Sequence, residues 1–151
     1  MTKQQTLSVL QALEKAKKYC AYQERSQWEV RQKLRSWQLP EEQTEWIISE
    51  LISENFLNEM RYAKTYTEGK FRIKGWGREK IKYNLKAKGV SNYCITKALE
   101  GIAEAYDNRL EQEAEKWLRT HAVGPQQQQK LIAFLMRKGY AYNDIMKHLS
   151  S

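Results

Sequence analysis

The sequence predicts an all-α fold of three tandem three-helix, helix-turn-helix-like repeats that form an elongated, curved stack. Only 2 Pro and 7 Gly occur among the 151 residues, a composition that favours helices. An apolar pattern returns about every 50 residues, a period typical of stacked helical modules. A three-helix unit of that size is too small to bury its own apolar face, so neighbouring units are expected to pack together.

The register of the repeat is visible at equivalent positions of the three copies. Each copy has an apolar pair four residues apart, and the first apolar residue beyond a turn follows five residues later. These sets are Val30, Leu34 and Leu39; Ile81, Leu85 and Val90; and Leu131, Leu135 and Tyr140. The next helices align through Ile47 and Leu51, Ile95 and Leu99, and Ile145 and Leu149. The predicted units are residues 1–57, 58–106 and 107–151, with extra residues after Pro40 in the first.

The first unit is predicted to begin with a helix over residues 7–23 and to end with one over residues 41–55. The apolar face of the first helix is expected to contain Leu7, Leu10, Leu13, Ala16, Lys17 and Cys20. The middle helix begins at a capping box formed by Ser26 and Glu29, and Pro40 ends it. The last helix carries a broad apolar stripe of Trp46, Ile47, Ile48, Leu51 and Ile52.

The second and third units repeat this plan. The predicted helices run from near Asn58 to near Gly75, and over residues 78–88, 92–105, 110–121, 126–138 and 143–149. Gly89 is expected to end the middle helix of the second unit in a left-handed conformation, which glycine adopts without steric cost. Ser91 is expected to cap the helix that follows.

Positive charge is concentrated in residues 61–90, called the basic segment below. The segment holds 10 of the 26 Lys and Arg but only 2 acidic residues, and the rest of the chain is balanced. The net charge of +8 is therefore local. Phe71, Trp76 and Tyr83 lie among the cations. Local positive charge with interleaved aromatic residues is typical of a surface that meets a polyanion or an acidic protein.

A partner is expected to contact the cations and one aromatic residue of this segment. The candidates are Arg61, Arg72, Lys74, Trp76, Arg78, Lys80, Lys82, Lys86 and Lys88. Arg78, Lys82 and Lys86 recur every four residues and form one ridge on a helix, where like charges repel unless a partner neutralises them. The alternative is an ordinary solvated lysine face. Trp76 stands at a glycine-flanked corner, where it either contacts a partner or fills the joint between two modules.

Residues suited to catalysis or metal binding are scarce. The chain has only 2 His, and it lacks zinc-protease, CxxC, nucleophile-elbow and phosphate-loop motifs. Glu41, Glu42 and Glu45 fit a solvated first turn that complements the helix dipole better than they fit a metal cluster. His121, near a helix end, fits a structural role. We therefore expect no enzymatic activity, no cofactor and no metal.

Sequence-specific DNA reading and membrane insertion are also disfavoured. The helix that would enter the major groove is acidic in the first unit, and in the second it carries one Lys and two Glu. No apolar run approaches the roughly 18 residues of a membrane span, and the opening residues lack the plan of a secretion signal. Cys20 and Cys94 fit reduced core thiols, so a cytoplasmic protein is expected.

Three stretches resemble signature sequences of the RecX family, whose members regulate the RecA recombinase. Residues 25–34, RSQWEVRQKL, are similar to R-S-x-x-E-L-x-x-K-L, and residues 57–63, LNEMRYA, to L-[DN]-[DE]-x-R-[FY]-A. Residues 77–91, GREKIKYNLKAKGVS, are similar to G-x-x-[KR]-I-x-x-x-L-x-x-K-G-[IV]-[SD]. The chain departs from the family at Trp37-Gln38, where Lys-Gly is usual. Gln38 is expected either to adopt the left-handed turn at a cost of about 1 kcal/mol or to alter the turn.

The resemblance implies a non-catalytic, monomeric protein of DNA repair, recombination and the SOS response. It would lie in the helical groove of a RecA–single-stranded DNA filament, suppress ATP hydrolysis and strand exchange, and favour disassembly. The ridge, with Arg72 and Lys74, would be the main contact. Two alternatives stay open: a non-sequence-specific DNA-binding repeat module that acts without the recombinase, and an adaptor for another acidic protein.

Overall fold

The computed structural model describes residues 8–150. Regular structure within this range consists of nine α-helices and no strands. The helices are α1 (Val9–Tyr22), α2 (Gln27–Ser36), α3 (Glu41–Ser53), α4 (Glu59–Arg72), α5 (Arg78–Ala87), α6 (Asn92–Glu100), α7 (Tyr106–Thr120), α8 (Gln127–Arg137) and α9 (Tyr142–Leu149). The prediction of an all-α chain is confirmed, and the predicted start of the first helix at Leu7 lies outside the described residues.

The junction between α6 and α7 differs from the prediction. α6 ends at Glu100 and not near Ala105, and α7 begins at Tyr106 and not at Leu110. Residues 101–105 form consecutive turns, in which amides bond to carbonyls three residues back. The Tyr106 side chain is only 2% exposed, so burial of its ring favours a helix that starts one turn earlier than the apolar pattern indicates.

The internal repeat predicted from the apolar pattern is present in the structure. All six residues of the three apolar pairs are at most 2% exposed, and the first apolar residue after each turn is buried as well. Each of these turns contains a left-handed residue: Gln38 (φ 61°), Gly89 (φ 77°) and Gly139 (φ 106°). Gln38 therefore takes the conformation that glycine has in the other two copies, at a cost of about 1 kcal/mol.

The apolar faces of α1 and α3 are narrower than predicted. Leu10, Trp46 and Ile52 are expected inside from the pattern, but their side chains are 64%, 41% and 46% exposed. α1 contributes Ala12 and Ala16 to the buried cluster that it shares with α3. Small residues let two helices approach closely, so only the centre of each apolar stripe is covered.

Local signals for helix ends and thiols are confirmed. Ser26 Oγ accepts a hydrogen bond from Glu29 N at 3.0 Å, and the Glu29 carboxylate accepts one from Ser26 N at 2.8 Å. This capping box satisfies two amides at the start of α2. Ser91 Oγ accepts from Cys94 N at 3.2 Å. Cys20 and Cys94 are both free and buried.

The described chain forms two compact units. The first contains residues 8–62 with 88–90, and the second contains residues 63–87 with 91–150. The core of the first unit combines apolar residues from α1, α2 and α3. The second unit has an aromatic core in which the Tyr106 ring lies 5.9 Å from Phe71 and 5.4 Å from Tyr140, between centroids. The predicted boundaries after residues 57 and 106 stay predictions.

Across residues 8–150, no helix has the length and apolar character needed to cross a bilayer.

Candidate functional site

α5 carries the ridge, and its first turn is held by residues far along the chain. Arg78 N donates to Tyr106 Oη at 2.8 Å, and Glu79 N donates to Gly139 O at 2.9 Å. A Cβ atom at Gly77 would lie 2.5 Å from the carbonyl carbon of Gly139, so only glycine permits this approach of two backbones. The position of α5 within the second compact unit is thereby set at its N-terminus.

α5 and α6 border a groove of about 450 Å³, called the α5–α6 groove below. One wall is the ridge of Arg78, Lys82 and Lys86, beside the inaccessible side chains of Ile81 and Leu85. The remaining lining residues come from α6 and the turn after it: Asn92, Ile95, Thr96, Leu99, Glu100 and Ala103. The four-residue spacing of cations predicts the ridge. The same spacing does not indicate which apolar residues of α6 line the rest of the groove.

The three cations of the ridge differ in how far acidic residues neutralise them. Arg78 Nη2 lies 3.0 Å from Asp144 Oδ2. Lys82 Nζ lies 3.9 Å from a Glu79 carboxylate oxygen, at the outer limit of an ion pair. Lys86 is exposed and has no ion pair within residues 8–150. Unneutralised positive charge is therefore concentrated at Lys82 and Lys86.

A second cationic feature is the Trp76 corner, which consists of Tyr66, Lys70, Trp76 and Lys80. The Nζ atoms of Lys80 and Lys70 lie 4.5 and 5.0 Å from the centroid of the Trp76 ring. The Tyr66 ring meets Trp76 edge-on, with centroids 6.5 Å apart. Trp76 is half-buried, so part of its ring packs and part stays accessible beside two ammonium groups. Lys70 is absent from the sequence-predicted contacts, although it lies in the basic segment.

The chain between α4 and α5 rests on a buried carboxylate. Glu113 is 3% exposed, and its two oxygens lie 3.2 Å from Arg109 Nη2 and 3.5 Å from Lys138 Nζ. Tyr140 Oη donates to Gly75 O at 2.9 Å. A buried carboxylate is strongly unfavourable unless cations and hydrogen-bond donors satisfy it. The ion pairs of Glu113 therefore offset the cost of burying its charge next to Gly75.

Two further predicted contact residues lie between α4 and α5. Arg72 Nε is 2.5 Å from Glu68 Oε1 on the same helix, an exposed pair that contributes little to stability. Lys74 is exposed, and its backbone carbonyl accepts from Lys138 Nζ at 2.5 Å. The charge of Lys74 is thus available to a partner, whereas that of Arg72 is shared with an acid.

Arg61 and Lys88 belong to the first compact unit, where both have acidic neighbours. Arg61 Nε lies 2.6 Å from Glu24 Oε2, and Lys88 Nζ lies 3.4 Å from Glu29 Oε2. These pairs neutralise two of the cations that the sequence singles out. The ridge and the Trp76 corner are the places where the second unit brings predicted contact residues together.

The described residues offer little for metal or nucleophilic chemistry. No group of three or more His, Cys, Asp or Glu between residues 8 and 150 could hold a metal ion. Burial raises the pKa of the Cys20 thiol to about 11, which keeps it protonated near neutral pH. His121 stacks on Trp117 with centroids 3.9 Å apart, and its Nδ1 lies 2.8 Å from the Trp117 carbonyl oxygen. Both contacts tie His121 to α7.

Three family models match the chain, and each covers one group of three helices. The model of the first three-helix domain of RecX matches residues 12–51, that of the second matches residues 58–99, and that of the third matches residues 104–149. The chain belongs to the RecX family. The resemblance seen in the three signature stretches is confirmed, and so are the three tandem three-helix units.

Curated relatives named "Regulatory protein RecX" are about one-third identical to this RecX chain. The protein of Lactococcus lactis subsp. cremoris (strain SK11) is 31% identical over 131 residues, which cover 83% of this chain and 49% of that protein. The protein of Clostridium perfringens (strain SM101 / Type A) is 33% identical over 131 residues, covering 82% and 61%. The chain thus spans about half to three-fifths of the length of these relatives.

Solved RecX structures share the fold. RecX from Lactobacillus salivarius has a TM-score of 0.81 at 28% identity, and the match covers 94% of both chains. A second crystal structure of regulatory protein RecX has a TM-score of 0.82 and covers 94% of this chain and 75% of that one. Because the second is only 23% identical, it supports the fold alone.

Proposed function

We propose that this RecX chain regulates the RecA recombinase by binding in the groove of the RecA–single-stranded DNA filament. There it suppresses ATP hydrolysis and strand exchange and favours disassembly. Membership of a family whose curated relatives are named regulatory proteins carries the proposal. The proposal also takes the chain to act as a cytoplasmic monomer of DNA repair, recombination and the SOS response, without catalysis.

The charge distribution supports a polyanionic or acidic partner. The net charge of +8 equals the excess of cations in the basic segment. Lys86 has no acidic partner in the described chain, and Lys82 has only Glu79, at 3.9 Å. An exposed cation that lacks an intramolecular partner has no ion pair to break when it binds an anion. Such charges also accelerate association with a partner of opposite sign.

The proposed contact surface is centred on the ridge of α5. Lys82 and Lys86 are its principal charges, and Arg78, Arg72 and Lys74 add to it. Arg61, Trp76, Lys80 and Lys88 are proposed as secondary contacts.

Hydrolysis of ATP by the recombinase on single-stranded DNA tests the proposal. We expect the wild-type chain at stoichiometric amounts to lower the rate, and the double substitution Lys82→Glu with Lys86→Glu to raise the amount needed by about tenfold. Lys116→Glu with Arg119→Glu is the matched control, because it changes the net charge equally at exposed positions of α7. An unchanged rate with the wild-type chain would refute the inhibitor role.

The Trp76 corner favours a second candidate function, direct binding of single-stranded DNA. Trp76 presents an accessible part of an aromatic ring flanked by two lysines, and base stacking on aromatic residues contributes about 1–3 kcal/mol per base. Salt-sensitive binding of the chain to bare single-stranded DNA, lost in Trp76→Ala and unaffected by added recombinase, would support this function instead.

A further inference from the structure

We propose that the α5–α6 groove is a docking site for an acidic, amphipathic α-helical segment of a partner protein, and not a nucleic-acid site. The inference rests on the proposed function, because it takes the protein component of the filament as the source of that segment. The ridge would then contact an acidic protein segment. Binding to the groove can be measured without the recombinase, and therefore independently of the regulatory assay.

The groove consists of three rows, each with the four-residue spacing of a helix face. The ridge is the cationic row. The apolar row is Ile95, Leu99 and Ala103, and the polar row is Asn92, Thr96 and Glu100. An amphipathic helix presents apolar residues at the same spacing, with charged residues on both sides of the stripe. Its apolar side chains fit against Leu99 and Ala103, and its acids fit beside Lys82 and Lys86.

The lining of the groove argues against DNA as the occupant. None of its nine residues is aromatic, whereas proteins that hold single strands stack the bases on aromatic side chains. The second unit does combine cations with an accessible aromatic ring, but at the Trp76 corner. The α5–α6 groove therefore has the chemistry of a peptide site.

In the first repeat, the equivalent face is covered by a helix of the same repeat. There, Thr44 and Ile48 occupy the places of Asn92 and Thr96, and they are only 2% and 3% exposed. Ile48 belongs to a core shared with α1, which packs on α3. Asn92 and Thr96 are exposed instead, and no comparable packing of α4 on α6 occurs in the described chain. The second repeat thus leaves open a face that the first repeat fills with its own helix.

The size of the groove suits a few side chains. Its volume of about 450 Å³ lies within the range of about 300–1,000 Å³ that is typical of ligand pockets. With two or three apolar side chains and two ion pairs, a single helical segment should bind with a dissociation constant in the micromolar range, of the order of 10 μM. Affinity of that order is measurable by titration with a synthetic peptide.

The test uses two synthetic probes of equal composition and charge. The first is a helical peptide with Leu at positions i, i+4 and i+7, Glu on the flank that would face Lys82 and Lys86, and neutral polar residues on the other flank. The second has the same residues in an order that disperses the leucines around the helix. Binding to the full chain is measured by fluorescence anisotropy, and the site is mapped by amide chemical-shift changes. A single-stranded oligo-dT of about 20 nucleotides serves as the competitor.

Two substitutions separate groove occupancy from charge. Thr96→Trp fills the groove and changes no charge, and Tyr83→Trp adds the same ring at an exposed position of α5 that does not line the groove. Circular dichroism is used to check that both variants keep the helical content of the wild type. Lys82→Glu with Lys86→Glu tests the cationic wall.

We expect the amphipathic peptide to bind about tenfold more tightly than the dispersed one, with shifts at Lys82, Lys86, Thr96 and Leu99. Thr96→Trp should weaken binding of the amphipathic peptide by about tenfold, whereas Tyr83→Trp should leave that affinity unchanged. Oligo-dT should not displace the peptide. Equal binding of both peptides, or an unaffected Thr96→Trp variant, would show charge attraction alone and overturn the proposal. Displacement by oligo-dT with the same shifts would assign the groove to nucleic acid and overturn it too.

The assay of ATP hydrolysis by the recombinase distinguishes failure of the docking site from failure of the proposed function. If Thr96→Trp abolishes peptide binding but still inhibits ATP hydrolysis fully, the filament does not use the groove, and the inference fails while the proposed function stands. If the wild-type chain binds the peptide in the groove but leaves ATP hydrolysis unchanged, the proposed function fails while the docking site stands.

Discussion

Helices α2 and α5 occupy the same place in successive repeats, but they are stabilised by different parts of the chain. At α2, Ser26 and Glu29 cap the first turn with hydrogen bonds of 3.0 and 2.8 Å. Gly77 takes the place of Ser26 at α5, and the amide of Arg78 donates to Tyr106 Oη at 2.8 Å. The start of α2 is thus satisfied by its own sequence, and that of α5 by Tyr106, the first residue of α7.

The cations of the two helices differ in the same way. Arg31 of α2 and Lys82 of α5 are equivalent, but Arg31 Nη2 lies 3.2 Å from Glu45 Oε1 and Lys82 has only Glu79, at 3.9 Å. Tyr93 stands where Glu45 stands in the first repeat. The hydrogen bond from Arg31 also lowers the pKa of the Glu45 carboxyl. At this one position, the same helical framework neutralises a cation in the first repeat and leaves its counterpart weakly paired in the second.

Gly77→Ala should have the largest effect on stability, because it disrupts the close backbone contact that holds the start of α5 against Gly139. The added Cβ would lie 2.5 Å from the Gly139 backbone, where neither chain can yield without moving α5. We expect a loss of about 3 kcal/mol in the free energy of unfolding, measured by chemical denaturation.

The matched control is Gly69→Ala on α4. A Cβ there meets nothing within 4 Å, so replacing a helical glycine should stabilise the protein by about 0.5–1 kcal/mol. Equal effects of the two alanines would contradict the close approach at Gly77.

Ser26→Ala and Tyr106→Phe test the local and the remote cap separately. Each removes one oxygen that accepts from a helix-start amide, so each should cost about 1 kcal/mol. Hydrogen exchange should accelerate at Glu29 in the first variant and at Arg78 in the second. If Tyr106→Phe leaves exchange at Arg78 unchanged, α5 is not anchored through that hydroxyl.

Alkaline pH should destabilise the fold at Tyr106, because ionisation would place a phenolate in a buried site. Burial raises the pKa of Tyr106 to about 12, above the value of about 10 in an unfolded chain. The folded state therefore keeps the phenol protonated, and stability present below pH 10 is lost as the pH rises towards 12. Denaturation midpoints at intervals across this range should fall less steeply in Tyr106→Phe. An identical slope in the variant would rule out this contribution.

Most of the fold could be predicted from the sequence because helix faces follow local spacing. The apolar pairs, the capping box and the left-handed turns depend on residues within a few positions of one another. Gln38 shows how strong the repeat is, because it adopts the left-handed conformation without being glycine. The junction of α6 and α7 could not be predicted, because burial of Tyr106 under distant rings decides where α7 begins.

The candidate site was predictable only as a row of cations. Periodicity places Arg78, Lys82 and Lys86 on one face of a helix, but it contains no information about which acids lie nearby. Asp144, which neutralises Arg78, is 66 residues away along the chain. The exposure of Thr96 is equally unpredictable from the sequence, because it depends on whether another helix packs over that position. Contacts between distant residues therefore decide which charges and faces stay open.

Tyr93→Glu would give α5 the acidic neighbour that α2 already has. Tyr93 is 65% exposed, so the change should be tolerated, and the new carboxylate should pair with Lys82 as Glu45 pairs with Arg31. An internal partner competes with an external one, so the amount of chain needed for half-inhibition of recombinase ATP hydrolysis should rise about threefold.

Gln129→Glu is the control for this graft, because it adds the same charge at an exposed position of α8. Its effect should be smaller than that of Tyr93→Glu. If both raise the half-inhibiting amount equally, only net charge matters, and the contrast between the two repeats has no role in binding.

Asp144→Asn should have the smallest effect and the opposite sign. Asp144 neutralises Arg78 at 3.0 Å, and an incoming anion must compete with it. The amide keeps the shape of the side chain but removes its charge, so Arg78 becomes a full cation of the ridge. We expect binding to tighten about twofold, with a loss of stability below about 1 kcal/mol because the pair is partly exposed.

Glu79→Gln is the reference variant against which the gain in binding of Asp144→Asn is compared. Glu79 lies farther from Lys82, at 3.9 Å, than Asp144 lies from Arg78, so its removal should tighten binding less than Asp144→Asn does. Half-inhibiting amounts measured at two salt concentrations would show both gains shrinking as salt screens the charges. If Asp144→Asn weakens binding instead, then Asp144 positions Arg78 for the partner, and α5 resembles α2 in using an acid to hold its first cation in place.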